Sequence, residues 1–195
     1  MVNYYRCFLP AAARVLKPLT DALRGLPLWQ QALEWSTSMQ ESFTNSKQLL
    51  LAAIPLAHPN PVARIVVAAD ASDTHIGGIL QQHEQRGWRP LGFFSRKLTP
   101  AELKYAAFDR ELLAAFALTH HFQELLKCRS FQLWTDHKPL VAALESAATP
   151  KPPRRQRQMA YILEYTTDVV HTPGTSNVVA DLLSPPHPPK RHQLH

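Results

Sequence analysis

The sequence predicts an α/β fold, in which a mixed five-stranded sheet is flanked by helices and preceded by a small helical segment. Two patterns carry this prediction. From about Val62 onward, short apolar runs typical of strands alternate with stretches of helical periodicity, in the order β-β-β-α-β-α-α-β-α. Before that point, residues 1–60 carry apolar side chains at helical spacing, and three prolines between Pro55 and Pro61 end the segment.

The first three strands are predicted from apolar runs separated by short turns. Ile65–Ala69 is almost continuously apolar, which is typical of a central strand that is covered on both faces. Ile76–Gln82 and Trp88–Ser95 are two further strand candidates, and Gly87 lies in the turn between them. Because both connections are short, these strands are predicted to form an antiparallel meander.

A long helix is predicted next. Thr99-Pro100-Ala101-Glu102 has the pattern of a capping box with proline at the first helical position, so the helix is expected to begin there. An apolar stripe at helical spacing follows, made of Phe108, Leu112, Ala115, Phe116 and Phe122. Phe131–Asp136 is predicted as the fourth strand and Pro139–Leu144 as a short helix.

The remaining elements are less regular. Ala148–Pro153 is a proline-rich linker, and Met159–Glu164 has a helical pattern. Thr167–His171 is predicted as the fifth strand, and Asn177 as the cap of a final helix that runs through Leu183. Residues 185–195 are rich in proline and basic side chains and are predicted to be a disordered tail.

Composition narrows the class of protein. An apolar fraction of 45% in 195 residues is enough for one medium domain with an appendage, and a net charge of +6 suits a polyanionic partner. Cys7 and Cys128 are too few for a disulfide framework or a cysteine zinc site, which favours a reducing compartment. No apolar run approaches the ~20 residues that cross a bilayer, and the N-terminus lacks a signal-peptide pattern. We therefore expect a soluble, intracellular protein without a membrane partner.

Four carboxylates stand in distinctive neighbourhoods. Asp70 and Asp136 each end a strand-like run, Glu111 lies within an apolar stretch of the long helix, and Asp181 lies in the final predicted helix. If the two strands are neighbours, Glu111 and Asp181 can complete a tetrad at a sheet crevice. Such an oxygen-only site suits Mg²⁺ or Mn²⁺, and two ions roughly 3.5–4 Å apart would activate a water and stabilise a leaving oxygen.

Each carboxylate taken alone has an ordinary alternative. Asp70 is also compatible with a turn, and Asp136 with capping the helix that follows it. Glu111 is compatible with pairing to Arg110 or facing solvent, and Asp181 with the polar face of an amphipathic helix. These alternatives stay open for single residues, and the case for a site depends on the four occurring together.

The combination of motifs closely resembles the ribonuclease H domain of Ty3/Gypsy-type retrotransposon polyproteins. The resemblance covers roughly Val62 to Ser184, and an N-terminal stretch is similar to the thumb and connection segment of their reverse transcriptases. The motifs are Asp70-Ala71-Ser72 with Gly77-Gly78, Glu111–Ala114, Thr135–Leu140, His171–Gly174 with Asn177, Ala180–Ser184, and Asn3–Pro10 with Pro18–Thr20.

The resemblance implies an RNase H-like fold that cleaves the RNA strand of an RNA/DNA hybrid by metal-dependent phosphodiester hydrolysis. It implies that Asp70, Glu111, Asp136 and Asp181 are metal ligands. His137 would assist proton transfer or orient a ligand, and it is equally compatible with packing at a helix start. Nucleic-acid contacts are expected from Ser72, Gly77, Gly78, Lys138, Arg154, Arg155 and Arg157, although strand packing for the glycines and solvated charge for the basic residues are the alternatives.

The expected organisation is a thumb/connection-like segment over residues 1–60, an RNase H-like domain over 61–184 and the tail over 185–195. The polymerase palm and fingers of the same polyprotein are an expected partner, and a virus-like particle in the cytoplasm or the nucleus is the expected location. The Tyr-x-Asp-Asp polymerase signature is absent, so no polymerase activity is expected from this chain alone. A catalytically silent remnant that binds nucleic acid or serves a structural role is the alternative function. A transposase or integrase of the same superfamily is disfavoured because the sequence has no accompanying His/Cys zinc segment.

Overall fold

The computed structural model describes residues 6–23, 34–51, 55–85, 87–146 and 152–173. Within them lies a five-stranded mixed sheet with the strand order β3-β2-β1-β4-β5, so the predicted α/β class and strand number are confirmed. The strands are Ile65–Ala71 (β1), His75–Glu84 (β2), Gly87–Lys97 (β3), Phe131–Thr135 (β4) and Val169–His171 (β5). The helices are Ala12–Val15 (α1), Lys17–Ala22 (α2), Thr37–Leu51 (α3), Ala107–His121 (α4), Gln123–Leu126 (α5), Lys138–Glu145 (α6) and Pro153–Tyr165 (α7).

The sheet combines both kinds of strand pairing. β1, β2 and β3 form the predicted antiparallel meander, and β4 and β5 add to it in parallel. β1 is the central strand, and its residues from Ile65 to Ala69 are at most 1% exposed. Their continuous apolar character is what a strand buried on both faces requires. The carboxyl ends of β1 and β4 consequently lie side by side.

The main core lies between one face of the sheet and the helices α4, α6 and α7. Leu112 and Leu118 of α4 and Ile162 of α7 are fully buried there, as the helical apolar spacing predicts. On the opposite face, Val66, Ala68, Ile79 and Phe93 form a second buried cluster, against which Trp88 and Trp134 pack. Burial on both faces fixes the position and direction of β1, and therefore the position of its last residues.

The N-terminal segment is helical, as predicted, and it packs on the sheet. α1 lies against β3, and the backbone N–H of Ala13 donates to Oγ of Ser95 at 3.0 Å in a buried contact. Lys97 Nζ pairs with Asp21 Oδ1 of α2 at 2.5 Å. α3 then packs on α1 and α2 through a mainly polar face, where Oγ of Ser42 donates to the Val15 carbonyl at 2.6 Å. Residues 6–23 are therefore attached to the sheet by a hydrogen bond and an ion pair, and residues 34–51 pack on them.

The predicted start of the long helix is wrong. The capping box does form, because the N–H of Thr99 donates to Glu102 Oε2 at 2.8 Å and the N–H of Glu102 donates to Thr99 Oγ1 at 3.3 Å. It closes only the 3₁₀ turn Glu102–Lys104, since Tyr105 is extended and α4 begins at Ala107. Arg96 also binds both oxygens of Glu102, at 2.8 and 2.9 Å, and this ties the turn to β3 rather than to a continuing helix.

Near the C-terminal end of the described residues, α7 is longer than the helix that the sequence predicts. α7 includes the basic run that precedes Met159, and β5 is shorter than the predicted Thr167–His171. The central part of the proline-rich linker, the final helix from Asn177 to Leu183 and the tail from residue 185 lie outside the described residues. Among the ranges that the structure does describe, no helix is long and apolar enough to cross a membrane.

Gly78 sets the distance between α4 and the sheet. A Cβ at this position would lie 2.2 Å from the Ala68 carbonyl oxygen and 2.2 Å from Leu118 Cδ2. At Gly77, the next residue, the nearest atom would be the Phe94 carbonyl oxygen at 3.1 Å. Both glycines are buried in β2, but only the one at position 78 is placed where a methyl group would overlap backbone and side chain together.

We expect Gly78→Ala to lower the free energy of unfolding by about 3 kcal/mol, because either the Ala68 backbone or α4 must move. Gly77→Ala, in the same strand, is the matched control and should cost clearly less. Denaturant unfolding of both variants measures the difference. Equal losses at the two positions would contradict this account of Gly78.

Candidate metal centre

Two parallel strands and one helix bring three carboxylates together. β1 and β4 pair through Ala68 and Trp134, and Asp70 and Asp136 each lie two residues further along. Glu111 projects from α4, which packs directly on β1. One oxygen from each of the three carboxylates lies within 4.8 Å of the others. The predicted convergence of these three residues is therefore present in the fold.

The three carboxylates differ in burial, and this shapes their electrostatics. Glu111 is only 8% exposed, Asp70 is half-buried, and Asp136 is exposed. Burial foremost, and then the negative charges of Asp70 and Asp136, raises the pKa of Glu111 to about 8. Burial and the charge of Asp136 also raise the pKa of Asp70. Both shifts follow from placing like charges close together away from water.

One oxygen in this cluster lacks a hydrogen-bond partner. Oε2 of Glu111 is buried, and no donor reaches it from the described residues. A buried carboxylate oxygen without a donor is costly, and a cation at the centre of the cluster would offset that cost. Three converging oxygen ligands match the preference of Mg²⁺ and Mn²⁺. The residues that are present therefore fit a divalent metal ion.

The ordinary alternatives for these residues do not match their positions. Asp70 is part of β1 rather than of a turn, and the residue that caps α6 is His137, not Asp136. Arg110 donates to Asp73 Oδ1 at 2.7 Å and to the Tyr105 carbonyl oxygen at 3.2 Å, so its guanidinium is engaged by residues other than Glu111. The fourth predicted ligand, Asp181, lies outside the described residues, and its part in the site stays a prediction.

His137 and Lys138 lie directly after Asp136. Nδ1 of His137 accepts a hydrogen bond from the Leu140 N–H at 3.2 Å, and its ring packs edge-on against Phe108 with centroids 5.8 Å apart. These contacts anchor the start of α6 and fix the backbone that carries Asp136. Lys138 is exposed at the first turn of α6. A catalytic role for His137 and a phosphate contact by Lys138 stay predictions.

The residues near β2 that are predicted to contact nucleic acid already make contacts within the fold. Oγ of Ser72 donates to the His75 carbonyl at 3.1 Å and accepts from the His75 N–H at 2.9 Å, which closes the turn before β2. Gly77 and Gly78 are buried, and packing alone accounts for glycine at position 78. Ser72 is exposed, so contact with a nucleic acid at its backbone stays a prediction, as does contact at the two glycines.

Two of the three predicted basic contacts are held by an ion pair. Arg155 binds both oxygens of Asp109 at 2.7 Å, and Arg154 binds Oδ1 at 2.9 Å. Arg154 also stacks on Tyr105, with 3.9 Å from its guanidinium carbon to the ring centre. The two arginines thus join α7 to the start of α4, while Arg157 is exposed. Binding of DNA phosphates by this run stays a prediction.

The structure adds a residue that the sequence analysis did not assign to the site. His171 ends β5, where it pairs in register with Thr135, and its Nε2 lies 3.2 Å from the Asp136 carbonyl oxygen. In the sequence, the position of His171 at the end of the predicted fifth strand was the one feature that could have indicated this proximity to Asp136. Because the carboxyl ends of parallel strands meet at one edge of a sheet, a fifth strand beside the fourth places His171 next to Asp136.

Comparison with known proteins identifies the family to which this chain is similar. Residues 35–133, just over half of the 195-residue chain, match the family model described as the RNase H-like domain found in reverse transcriptase. The chain is 29% identical over 186 residues to the transposon Tf2-3 polyprotein of Schizosaccharomyces pombe, and the same values hold for the Tf2-12 polyprotein. The match covers 94% of this chain but 14% of each polyprotein, so the chain spans about one seventh of the length of these curated relatives.

Two solved structures share the fold. The foamy viral protease-reverse transcriptase dRH in complex with double-stranded DNA superposes with a TM-score of 0.70 at 16% identity, over 87% of this chain and 29% of that one. The foamy viral protease-reverse transcriptase in complex with an RNA/DNA hybrid gives 0.66 at 17% identity, over 87% and 23%. Together with the family model, these likenesses confirm the RNase H-like fold that the sequence predicts.

The raised pKa of Glu111 predicts an unusual pH dependence for the metal-free protein. A carboxyl group whose pKa is about 8 when folded and near 4.5 when unfolded binds its proton more tightly in the folded state. The free energy of unfolding should therefore fall as pH rises from about 4.5 to about 8. Glu111→Gln removes this penalty, so in EDTA at pH 8 the variant should be more stable than the unaltered protein by more than about 1.4 kcal/mol, the equivalent of one pKa unit.

Denaturant unfolding at several pH values between 4 and 8.5 measures this difference. Glu164→Gln, which changes an exposed glutamate of α7, is the control and should not alter the slope with pH. A gap between the Glu111→Gln variant and the unaltered protein that stays constant over this range would contradict the assigned burial and repulsion.

Proposed function

Because the chain belongs to the family of RNase H-like domains found in reverse transcriptases, we propose that it is a metal-dependent endoribonuclease that cleaves the RNA strand of RNA/DNA hybrids. The observation that carries the proposal is the cluster of Asp70, Glu111 and Asp136, with its buried, unpartnered glutamate oxygen. The foamy viral structure that contains an RNA/DNA hybrid supports the choice of substrate by its likeness in fold.

The proposed chemistry assigns the metal to the carboxylates. Asp70, Glu111 and Asp136 would hold Mg²⁺ or Mn²⁺, and Asp181 is proposed to complete a tetrad for two ions. Bound in this way, such ions activate a water for attack on a phosphodiester and stabilise the leaving oxygen. The protein itself holds the three carboxylates in place, and Glu111 gives up its proton when the site is filled, since metal ligands must be deprotonated.

His137 is proposed as a positioning residue. Its Nδ1 is engaged in capping α6, so the predicted role that its contacts support is orientation of the Asp136 ligand. The Phe108 ring against which it packs belongs to α4, the helix that also carries Glu111. One aromatic contact thus links the backbones of two of the proposed ligands.

The polymerase palm and fingers of the same polyprotein remain a proposed partner. The assignment of residues 1–60 to a thumb/connection-like segment also remains a proposal. The support is that the curated relatives are polyproteins of which the chain spans 14%. The family match begins at residue 35, so it includes α3 as well as the strands up to β4. Location in a virus-like particle or the nucleus stays a prediction.

Cleavage of an end-labelled RNA/DNA hybrid in Mg²⁺ tests the proposal. We expect the RNA strand to be cut and Asp136→Asn to lower the rate by about 10³-fold, because loss of a metal ligand removes several kcal/mol of transition-state stabilisation. Glu164→Gln should cut at the unaltered rate. Binding of the hybrid without any cutting would instead favour the catalytically silent nucleic-acid-binding module.

A thermal measurement tests the shared metal site independently of cleavage. Mg²⁺ at 10 mM should raise the melting temperature of the unaltered protein by several degrees, because ligand that binds only the folded state stabilises it by mass action. Asp70→Asn/Asp136→Asn should show little rise. The same increase in both proteins would mean that the ion stabilises the fold from somewhere else.

A further inference from the structure

The N-terminal segment reaches the row of the sheet that contains the proposed metal ligand Asp70. Asp70 pairs with Gly77 on β2, and Gly77 pairs with Ser95 on β3, so the three residues lie in one line across the sheet. Ser95 Oγ accepts the backbone N–H of Ala13 at 3.0 Å, in a buried contact. Adjacent strands are about 4.8 Å apart, so Ser95 lies roughly 10 Å from Asp70 along this row, and the contact holds α1 on Ser95.

A small cavity connects α1 with the carboxylate site. It has a volume of about 70 Å³ and is lined by both parts of the chain. Ala11, Ala13 and Arg14 line it from the N-terminal segment, and Asp70 and Ser72 from the end of β1 and the turn after it. Arg14 is exposed, whereas Gly77, which also lines the cavity, is buried. Arg14, an exposed residue of α1, therefore shares this cavity with Asp70.

Positive charge lies near this cavity, since His75, which lines it, pairs in register with Lys97. Lys17 and Lys97 share the single carboxylate of Asp21, at 3.4 and 2.5 Å, so the two lysines carry one positive charge beyond it. Arg14 lines the cavity itself, together with His75. A phosphate that approached the cavity would meet this excess charge next to the proposed metal ligands.

We propose that Arg14 binds a backbone phosphate of the nucleic acid that lies across the carboxylate site. The hybrid-binding surface is then composite, since the sheet supplies the metal ligands and the N-terminal segment supplies a phosphate contact beside them. The guanidinium fork suits a phosphate, to which it can donate two parallel hydrogen bonds. This inference rests on the proposed function and extends it to a residue that lies outside the four-carboxylate motif.

Binding of a labelled 20-base-pair RNA/DNA hybrid in EDTA, measured over a range of salt concentrations, tests the inference without cleavage. Arg14→Gln should weaken binding about tenfold, and it should reduce the slope of log K against log salt concentration by about 0.7–0.9, the value for one lost phosphate contact. Arg14→Lys should keep the slope, because the charge remains. The melting temperature of each variant checks that the fold is intact.

Arg89→Gln is the matched control. Arg89 is an exposed arginine on β3, six residues from Ser95 and thus about 20 Å along the strand from the row of Asp70. It should change affinity less than twofold. Equal effects of Arg14→Gln and Arg89→Gln, or no measurable hybrid binding by the unaltered chain, would overturn the proposal.

Cleavage by the unaltered protein in Mg²⁺ separates this inference from the proposed function. If that protein cuts the hybrid while the Arg14→Gln variant binds it with unaltered affinity, the proposed phosphate contact is wrong and the proposed nuclease function is retained. If it does not cut the hybrid but Arg14→Gln weakens binding as expected, the nuclease is wrong and the phosphate contact stands.

Discussion

The mutual repulsion of Asp70, Glu111 and Asp136 is the constraint on which the arrangement of this protein depends. Carboxylates held within 4.8 Å of one another move apart unless their backbones are fixed, and a cation or a proton must offset their charge. Rigidity comes from burial, since β1 is covered on both faces and α4 packs on it through fully buried leucines. The buried strand β1 thus ends beside the carboxylate cluster, and its burial holds the backbone of Asp70 in place.

The attachment of the N-terminal segment changes how the chain is divided. The sequence indicates a boundary near residue 60, where prolines separate helical from strand-like patterns. In the structure α1 and α2 are fixed to β3 by the Ala13–Ser95 hydrogen bond and the Asp21–Lys97 ion pair. Such contacts join residues about 80 positions apart, so the prolines mark a change of secondary structure within one packed assembly. The cavity beside Asp70 is therefore lined by residues of both parts.

The sequence was sufficient for the strand order of the meander and for the convergence of three carboxylates, for identifiable reasons. Asp70 ends an apolar strand and Glu111 interrupts an apolar helix face, so the energetic cost of burying these two is visible in their neighbours, while the exposed Asp136 follows the strand that pairs with β1. Asp181 is predicted on similar grounds and lies outside the described residues. The sequence did not assign His171 to the site, because its distance from Asp136 depends on which strand lies next to β4. The order of parallel strands is a property of the whole fold.

Two local patterns in the sequence have partners that only the fold reveals. The pattern from Thr99 to Glu102 has correct capping chemistry, but Arg96 from β3 binds the same glutamate and the chain turns before α4 begins. The basic run at Arg154 and Arg155 has the composition of a phosphate-binding patch, yet its partner is Asp109, about 45 residues earlier in the chain. Local patterns state what a side chain can bind, and only the tertiary fold decides which of several partners reaches it.

The packing around Gly78 has a consequence for how this chain can change over evolutionary time. Of the two atoms that a methyl group at this position would meet, one belongs to the Leu118 side chain and the other to the Ala68 backbone. A smaller residue at position 118 would remove the first obstacle but not the second, because every amino acid has a carbonyl oxygen. The two positions therefore cannot compensate for each other. Position 118 is limited by its own burial in the core, while position 78 is restricted to glycine in any descendant that keeps this distance between α4 and the sheet.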